Sequence, residues 1–235
     1  MKIAVIDDWQ GVARSSADWS RLAARAELAF FADAFGSEDD AAQALADFDI
    51  ILTMRERTAF PESLIRRLPK LRMIGITGPS NPTVDVEACT RQGVTVCNTP
   101  RSNALYATAE LALGLMIAAA RAIPTADRTM RAGGFQFGVP VGIGLAGKTL
   151  GIVGAGRLGA RLARSALALD MTVIAWSPNL TAEKAQEAGA VLTSKSDLMS
   201  GADVISLHMV LSPHTRGLVG AEDIARMKQI GRAHV

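Results

Sequence analysis

The chain has 235 residues, of which 49% are apolar and 20% are charged, and its formal net charge is +2. This length allows one large domain or two modest domains with ample core. The small, dispersed charge argues against a nucleic-acid surface. Asp7 comes too early for a signal-peptide core, and the longest apolar stretch, 111–120, is too short to span a membrane. Cys89 and Cys97 form no CxxC motif, so we expect buried free thiols in a reducing, cytoplasmic compartment.

Short apolar runs alternate with helical patterns through the first hundred residues. The runs predict strands and the spacing of apolar residues between them predicts helices. Strands are predicted at 3–6, 28–31, 48–53, 73–76 and 94–97, and helices at 17–26, 38–46, from Pro61 to Leu68, and at 84–91. This alternation is typical of a parallel sheet covered by helices on both faces. Residues 1–98 are therefore predicted to form a small α/β sheet of five strands.

A second α/β unit is predicted after a long helix and a glycine-rich linker. Residues 103–122 are rich in Ala and Leu and end before Pro124, and residues 132–147 contain repeated glycines. Strands are then predicted at 149–153, 171–176, 190–192 and 203–207, with helices at 157–169 and 181–188. We therefore expect a two-domain α/β protein in which the long helix bridges the two domains.

The most informative motif is Gly154-x-Gly156-x-x-Gly159, which follows a predicted strand and opens a predicted helix. Gly154 permits a tight turn, Gly156 lets a pyrophosphate approach the backbone, and Gly159 lets the helix pack closely on the strand. The anion would bind free N–H groups at the positive end of the helix. The motif therefore predicts a dinucleotide-binding loop, and a glycine-rich turn without a ligand is the alternative.

The residue that usually selects NAD is absent from the next predicted strand. An acidic residue about 20 residues after the glycines normally binds the ribose hydroxyls, but Ser177 occupies the end of that strand. A serine does not repel a 2′-phosphate, and Arg157 and Lys184 could approach one. Both NAD and NADP therefore remain open as cofactors. The alternative is that Ser177 simply begins a turn.

Two loops of the first unit contain candidate substrate-binding residues. Ligands of open α/β sheets bind beyond the carboxyl ends of the strands. The backbone N–H groups of Gly78 and Ser80 could hold a substrate carboxylate, or these residues could form a plain turn. Arg55 could form a bidentate pair with a carboxylate, although a solvated charge run is the slightly favoured explanation.

None of the three histidines has an obvious carboxylate partner in the sequence. His208 ends a predicted strand, and we expect its backbone to contact the cofactor, with a hydrogen-bonded core residue as the alternative. His214 is expected to be solvated, and His234 lies in the C-terminal tail. No cluster has the spacing of metal ligands. We therefore predict neither a catalytic residue nor a metal site in this chain.

The chain resembles the D-isomer-specific 2-hydroxyacid dehydrogenases, which include D-lactate, glyoxylate/hydroxypyruvate and 3-phosphoglycerate dehydrogenases. The resemblance extends to about Lys228 and rests on the segments 85–99, 107–121, 145–159 and 202–228. It implies a flavodoxin-like substrate domain at 1–98 and a Rossmann NAD(P)-binding domain at 99–228. It also implies an active cleft between the two domains.

The resemblance assigns roles to several residues. The cofactor loop of the family corresponds to Gly154, Gly156, Arg157, Leu158 and Gly159. Ser177 stands where the family usually has aspartate, and His208 and Met209 correspond to the segment beside the nicotinamide. Gly78 corresponds to the loop that holds the substrate carboxylate. Ser80 replaces a usual glycine and Val210 a usual proline, so we expect a somewhat different substrate loop.

In this family the substrate-binding arginine, the catalytic histidine and the acidic partner of that histidine follow a Met-Lys pair that corresponds to Met227-Lys228. None of the three is present here, and residues 230–235 resemble a translated sequencing adapter. We therefore expect a Rossmann domain that is incomplete at its C-terminus, a non-native tail at 229–235, and no catalytic residue in this chain.

The function that the resemblance implies is an NAD(P)-dependent oxidoreductase that transfers a hydride between the cofactor and a small 2-hydroxy or 2-oxo acid. The alternative is an NAD(H)-sensing, corepressor-like binding protein of the same fold. We expect a homodimer of the full-length protein, formed through the Ala- and Leu-rich helix at 103–122. We expect no nucleic-acid partner and no membrane association.

Overall fold

The computed structural model describes residues 1–100 and 105–228, which fall into two compact units, Met1–Ser102 and Asn103–Val235. The first unit contains a five-stranded parallel sheet in the order β2-β1-β3-β4-β5. Its strands are β1 (Lys2–Val5), β2 (Glu27–Phe30), β3 (Ile50–Met54), β4 (Met73–Thr77) and β5 (Thr95–Asn98). This is the strand order of flavodoxin-like folds, which confirms the predicted architecture.

The apolar residues of the central strands are buried because helices pack against this sheet. The helices are α1 (Ala13–Ser16), α2 (Ser20–Ala23), α3 (Glu38–Leu45), α4 (Glu62–Ile65) and α5 (Val86–Arg91). Ile51 and Ile74 from the sheet are fully buried in one cluster with Leu45 and Leu64. The Ser37 and Asp85 side chains cap α3 and α5 by accepting backbone N–H groups of the first turns.

Two expectations for this unit are wrong. Of the single helix predicted at 17–26, only Ser20–Ala23 is helical, as α2, and α1 lies before this range; the N-cap residue of α2 is Trp19. Its indole Nε1 donates to the Ala13 carbonyl at 2.9 Å, and its ring packs edge-on against Phe30. Cys89 is buried as expected, but Cys97 is exposed because β5 is the edge strand of the sheet.

The second unit contains a four-stranded parallel sheet in the order β8-β7-β6-β9. Its strands are β6 (Thr149–Val153), β7 (Thr172–Trp176), β8 (Val191–Leu192) and β9 (Val204–Leu207). Its helices are α6 (Leu105–Ala120), α7 (Ile123–Arg131), α8 (Arg157–Leu167), α9 (Ala182–Glu187), α10 (Lys195–Gly201) and α11 (Ala221–Arg226). If these four strands are numbered 1 to 4 in chain order, their order in the sheet is 3-2-1-4. This is the order of the first four strands of a Rossmann sheet, which confirms the predicted fold.

The long helix α6 ends before Pro124 as predicted, but the sequence did not predict α7. Ala122 adopts a left-handed conformation with φ of 52°, and α7 begins at the next residue. Pro124 fits the first turn of α7 because the N–H groups there need no intrahelical partner. Within 1–100 and 105–228, no single helix is long and apolar enough to cross a membrane; Tyr106–Ala120 and Ile123–Arg131 meet that test only as a pair bent by 68°.

The two faces of the second sheet pack against different helices. On one face, Val173 and Ala175 of β7 join a buried cluster with Met116 of α6 and Leu162 of α8. On the opposite face, Trp176 packs against a cluster that includes Leu198 of α10. The carboxyl ends of β6, β7 and β9 therefore lie together at one edge, because the three strands are parallel neighbours.

Candidate functional site

The turn between β6 and α8 is the candidate cofactor loop. Gly154 has φ of 99°, a conformation that strongly favours glycine. A Cβ atom on Gly154 would lie 2.8 Å from the Met209 Sδ atom and 2.9 Å from the His208 carbonyl oxygen. Gly154 therefore lets the loop after β6 pack directly against the residues that follow β9.

The other two glycines play opposite steric roles. A Cβ on Gly159 would lie 2.4 Å from the Gly154 carbonyl oxygen and 2.9 Å from Ile152 Cγ2, so α8 approaches β6 as closely as the sequence predicts. At Gly156, none of the described residues other than its two chain neighbours lies within 4 Å of the Cβ position. The space beside Gly156 is therefore open to a ligand, and a side chain there would fill it.

Gly156 is also the N-cap residue of α8, and within 1–100 and 105–228 no side chain caps this helix. The first-turn N–H groups of an α-helix have no intrahelical acceptor, and the helix dipole is positive there. Arg157 and Leu158 form this first turn, Arg157 exposed and Leu158 half-buried. These residues fit a pyrophosphate, because unpaired donors and open space occur at the same point.

Ser177 directly follows β7, half-buried. Its carbonyl oxygen accepts the Leu180 N–H at 3.1 Å, so Ser177 does begin a turn. The turn leaves the hydroxyl group in place at the carboxyl end of β7, where the ribose-binding acid is expected in this fold. A turn-forming role and a ribose contact are therefore compatible.

His208 and Met209 follow β9, beside the glycine loop. The His208 N–H donates to the Val153 carbonyl at 2.8 Å, which extends the pairing of β9 with β6. The imidazole Nε2 is hydrogen-bonded to the buried Ser206 hydroxyl at 2.8 Å. Burial lowers the pKa of the His208 imidazole below its usual value, which favours the neutral ring. His214 is exposed, and His234 lies outside the described residues.

In the first unit, three strands are followed by residues with positive φ. These are Asp7 (63°) after β1, Arg55 (57°) after β3 and Gly78 (128°) after β4. The Arg55 Nη1 atom lies 3.0 Å from the position of a Cβ on Gly78, so the guanidinium group packs over this glycine. The structure therefore brings together Arg55 and Gly78, two of the three residues predicted to bind substrate.

The Gly78 N–H has a hydrogen-bond partner in this structure. It donates to the Thr99 Oγ1 atom at 2.8 Å and so cannot at the same time hold a substrate carboxylate. Ser80 is exposed in the same loop. The Arg55 side chain remains accessible, because it is 57% exposed. Its Nε atom forms an ion pair with Glu56 at 3.6 Å. Arg55 is therefore the stronger candidate for binding an anion.

Sequence reasoning missed two buried polar residues beside Arg55. Asp7 is fully buried, and its carboxylate accepts the Thr58 hydroxyl at 2.8 Å and the Thr58 N–H at 3.2 Å. Asn81 is 4% exposed and donates to the Arg55 carbonyl at 2.6 Å. The only signal in the sequence was the position of Asp7 and Asn81 shortly after apolar runs, where loop residues meet at a sheet edge.

Comparison with known proteins finds similarity to one family of enzymes. A family model described as the NAD-binding domain of D-isomer specific 2-hydroxyacid dehydrogenases matches residues 113–232. A D-3-phosphoglycerate dehydrogenase of Methanocaldococcus jannaschii is 37% identical over 194 residues, which cover 82% of this chain and 37% of that enzyme. One from Synechocystis is 36% identical over 196 residues, covering 83% of this chain and 35% of the enzyme. The chain thus spans little more than a third of the length of these curated relatives.

A solved structure extends the similarity to the first unit. The crystal structure of a phosphoglycerate oxidoreductase from Vibrio cholerae O395 matches with a TM-score of 0.90 and 35% identity. The match covers 97% of this chain and 72% of that protein. Together with the glycine loop and the two strand orders, these matches are specific enough to assign the family. The chain belongs to the D-isomer specific 2-hydroxyacid dehydrogenase family.

Proposed function

We propose that the protein is an NAD(P)-dependent oxidoreductase that transfers a hydride between the nicotinamide and a small 2-hydroxy or 2-oxo acid. The observation that carries this proposal is the loop after β6, where Gly156 leaves open space in front of the uncapped N-terminus of α8. The bound nicotinamide would supply the hydride chemistry, and the protein would bind and orient the reactants. No observation on this chain favours the corepressor-like alternative.

We assign cofactor binding to residues 99–228 and substrate binding to residues 1–98. In the second unit, the N–H groups of Arg157 and Leu158 would hold the pyrophosphate, with Gly154, Gly156 and Gly159 shaping the loop. Ser177 would contact the adenosine ribose. His208 and Met209 would line the nicotinamide side, a role supported by their packing against Gly154.

In the first unit, Arg55 would bind the carboxylate of the acid, with Gly78 beneath it and Ser80 at the loop surface. The proposal is supported by the exposed guanidinium group and by its place at the carboxyl end of β3. Guanidinium groups bind carboxylates through two parallel hydrogen bonds, which orients the acid as well as holding it. The Gly78 N–H would contribute only if its bond to Thr99 is released.

We also infer that residues 1–235 alone do not turn over a 2-hydroxy acid. General acid–base catalysis needs a proton-transfer group within hydrogen-bond reach of the substrate. The His208 ring is bonded to Ser206 and is kept neutral by burial, and His214 is exposed in a loop of the second unit. Purified chain assayed by NAD(P)H absorbance against a panel of 2-oxo acids should show no saturable turnover. Robust turnover would refute this inference.

Cofactor binding by the chain itself is the direct test of the proposed function. NADH and NADPH should bind saturably in a fluorescence titration, and Gly156→Val should abolish both signals because its side chain fills the open space. Circular dichroism should show an unchanged fold, since Gly156 has an ordinary extended conformation and no close neighbour. Unimpaired binding by the variant would show that the pyrophosphate does not bind here.

We further propose that the protein is a cytoplasmic homodimer. The unbridged thiols of Cys89 and Cys97 support a reducing compartment. Dimerisation is supported by α6, whose residues Ala107, Leu111, Leu115 and Ala119 are all exposed. Residues four apart lie on one face of a helix, so this apolar stripe is a surface that a second copy could cover.

A further inference from the structure

The loop of residues 55–58, which we call the β3 loop, starts with a strained residue. Arg55 has φ of 57°, a left-handed conformation that costs energy for any residue with a Cβ atom. Such a conformation persists only when the surrounding structure holds it in place. Because Arg55 is the proposed carboxylate ligand, whatever holds its backbone also decides where its guanidinium group lies.

Two side chains from the neighbouring strand region bind the backbone of Arg55. Thr77, at the end of β4, accepts the Arg55 N–H with its Oγ1 atom at 3.3 Å. Asn81 donates its amide Nδ2 to the Arg55 carbonyl at 2.6 Å. Both backbone polar groups of Arg55 are therefore bonded to side chains.

Asn81 is itself fixed from behind. Its Oδ1 atom accepts the Thr83 N–H at 3.0 Å and the Thr83 hydroxyl at 2.7 Å. With three hydrogen bonds and 4% exposure, the Asn81 amide has one orientation available to it. Because Asn81 is buried and hydrogen-bonded, it gives the β3 loop a rigid support.

The other end of the β3 loop is also fixed. The carboxylate of Asp7 accepts both the N–H and the hydroxyl group of Thr58, and its backbone carbonyl accepts Arg57 Nη1 at 2.5 Å. The loop is therefore held from both neighbouring strands of the sheet, β1 and β4. With the loop backbone held at both ends, the Arg55 guanidinium group lies over Gly78.

We propose that Asn81 is a positioning residue for substrate binding: it holds Arg55 in the left-handed conformation that directs the guanidinium group over Gly78. This proposal rests on the proposed role of Arg55 in binding the acid. Asn81 itself does not touch the substrate. Its loss would leave the Arg55 carbonyl unpaired and release the loop, so that the cation samples other positions and binds the carboxylate more weakly.

The test compares variants that break different bonds of the same cluster. Asn81→Ala removes all three bonds. Asn81→Asp keeps both acceptor bonds to Thr83 and removes only the donor to Arg55, so it isolates that bond, and urea denaturation of both variants checks that they are folded. Thr83→Val is the matched control. It loses the hydroxyl bonds to Asn81 and to the Thr58 carbonyl but leaves the Asn81 donor to Arg55 intact.

Two NMR readouts on the 235-residue chain, labelled with 15N arginine, separate positioning from general stability. The first is the order of the Arg55 Nε–H group by heteronuclear relaxation. The second is a titration with pyruvate that follows the same resonance. We expect the wild-type group to be ordered and to respond saturably. Both Asn81 variants should lose order and bind pyruvate at least about tenfold more weakly, whereas Thr83→Val should stay within about twofold.

The outcomes distinguish this proposal from the proposed function. If wild-type Arg55 does not respond to pyruvate, its assignment as the carboxylate ligand fails, and the relaxation measurement still decides whether Asn81 positions it. If both Asn81 variants keep the wild-type order and affinity, the positioning role is overturned. It is overturned equally if Thr83→Val weakens pyruvate binding as much as the Asn81 variants do, because that result reflects a general loss of packing.

Discussion

The Met209 Sδ atom lies 2.8 Å from the place that a Cβ atom would occupy on Gly154. The two residues follow β6 and β9, neighbouring strands whose carboxyl ends meet at the candidate cofactor site. A sulfur atom can move, but the His208 carbonyl oxygen, 2.9 Å from the same point, belongs to a backbone held by the β9 pairing. A side chain at position 154 is therefore disfavoured for two reasons, the positive φ and the lack of space for a Cβ atom.

We accordingly expect Gly154→Ala to lower the free energy of unfolding by about 1–3 kcal/mol, because it combines a strained φ with a backbone collision. Urea denaturation of the purified chain measures this change. Gly147→Ala is the control, since Gly147 also has positive φ (72°) but open space at its Cβ position. Equal losses in the two variants would show that the collision contributes nothing.

We expect the protein to bind NADH and NADPH with similar affinities. Without a carboxylate at Ser177, the site lacks both an acceptor for the ribose hydroxyls and a group that repels a 2′-phosphate. We expect less than about tenfold preference between NADH and NADPH, roughly 1.4 kcal/mol. Ser177→Asp should shift binding toward NADH, and Ser177→Ala should leave the ratio near the wild-type value. Dissociation constants of both cofactors check this prediction, which an unchanged ratio in the aspartate variant would contradict.

His208 should make the stability of the chain depend on pH. Burial lowers its pKa in the folded state, so the unfolded chain binds the proton more tightly. Neutral His208 therefore contributes stability that is fully present above the unfolded pKa of about 6.5 and is lost as the pH falls toward the folded pKa. Urea unfolding measured between pH 8 and pH 5 should show a smaller decrease for His208→Gln than for the wild type.

The exposed His214 provides the control for that experiment. His214→Gln makes the same substitution at an exposed histidine, so it tests whether the loss of the buried His208 imidazole in particular changes the pH dependence. If the two histidine variants behave alike, the decrease at low pH arises from other groups.

The exposed stripe of α6 should mediate self-association. Leu111 is 62% exposed on this face, and covering it removes apolar surface from water. Leu111→Glu should reduce the mass measured by light scattering, because association would bury an unpaired charge. Val191→Glu, at an equally exposed apolar position on β8, should leave the mass unchanged. The opposite result would place the association surface at the β8 edge.

Features governed by local sequence were predicted well. The strands of both sheets are short apolar runs, and parallel strands covered on both faces need no other signal. The glycine loop was recognised because the requirements at Gly154, Gly156 and Gly159 are met within six residues of chain. The steric role of Gly159 follows from contacts within one βα turn, whereas that of Gly154 also depends on His208 and Met209, which follow β9.

Features that depend on distant partners were not predicted. Asp7 contacts Thr58, which is 51 residues away, and Asn81 contacts Arg55 across 26 residues. Neither pair has a pattern in the sequence, because each depends on the order in which the strands lie side by side. The bond from Gly78 to Thr99 was missed for the same reason, and the inward turn of Trp19 depends on a carbonyl group six residues earlier.

The two-sided attachment of the β3 loop also limits how this protein can change during evolution or engineering. Surface loops usually tolerate insertions and deletions, but one added residue between Arg55 and Thr58 would put either Asn81 or Asp7 out of register with its partner. Substitution is less restricted, because the side chain of Glu56 is exposed between the two supports. New substrate preferences would therefore arise more readily by exchanging side chains within a loop of constant length than by altering its length.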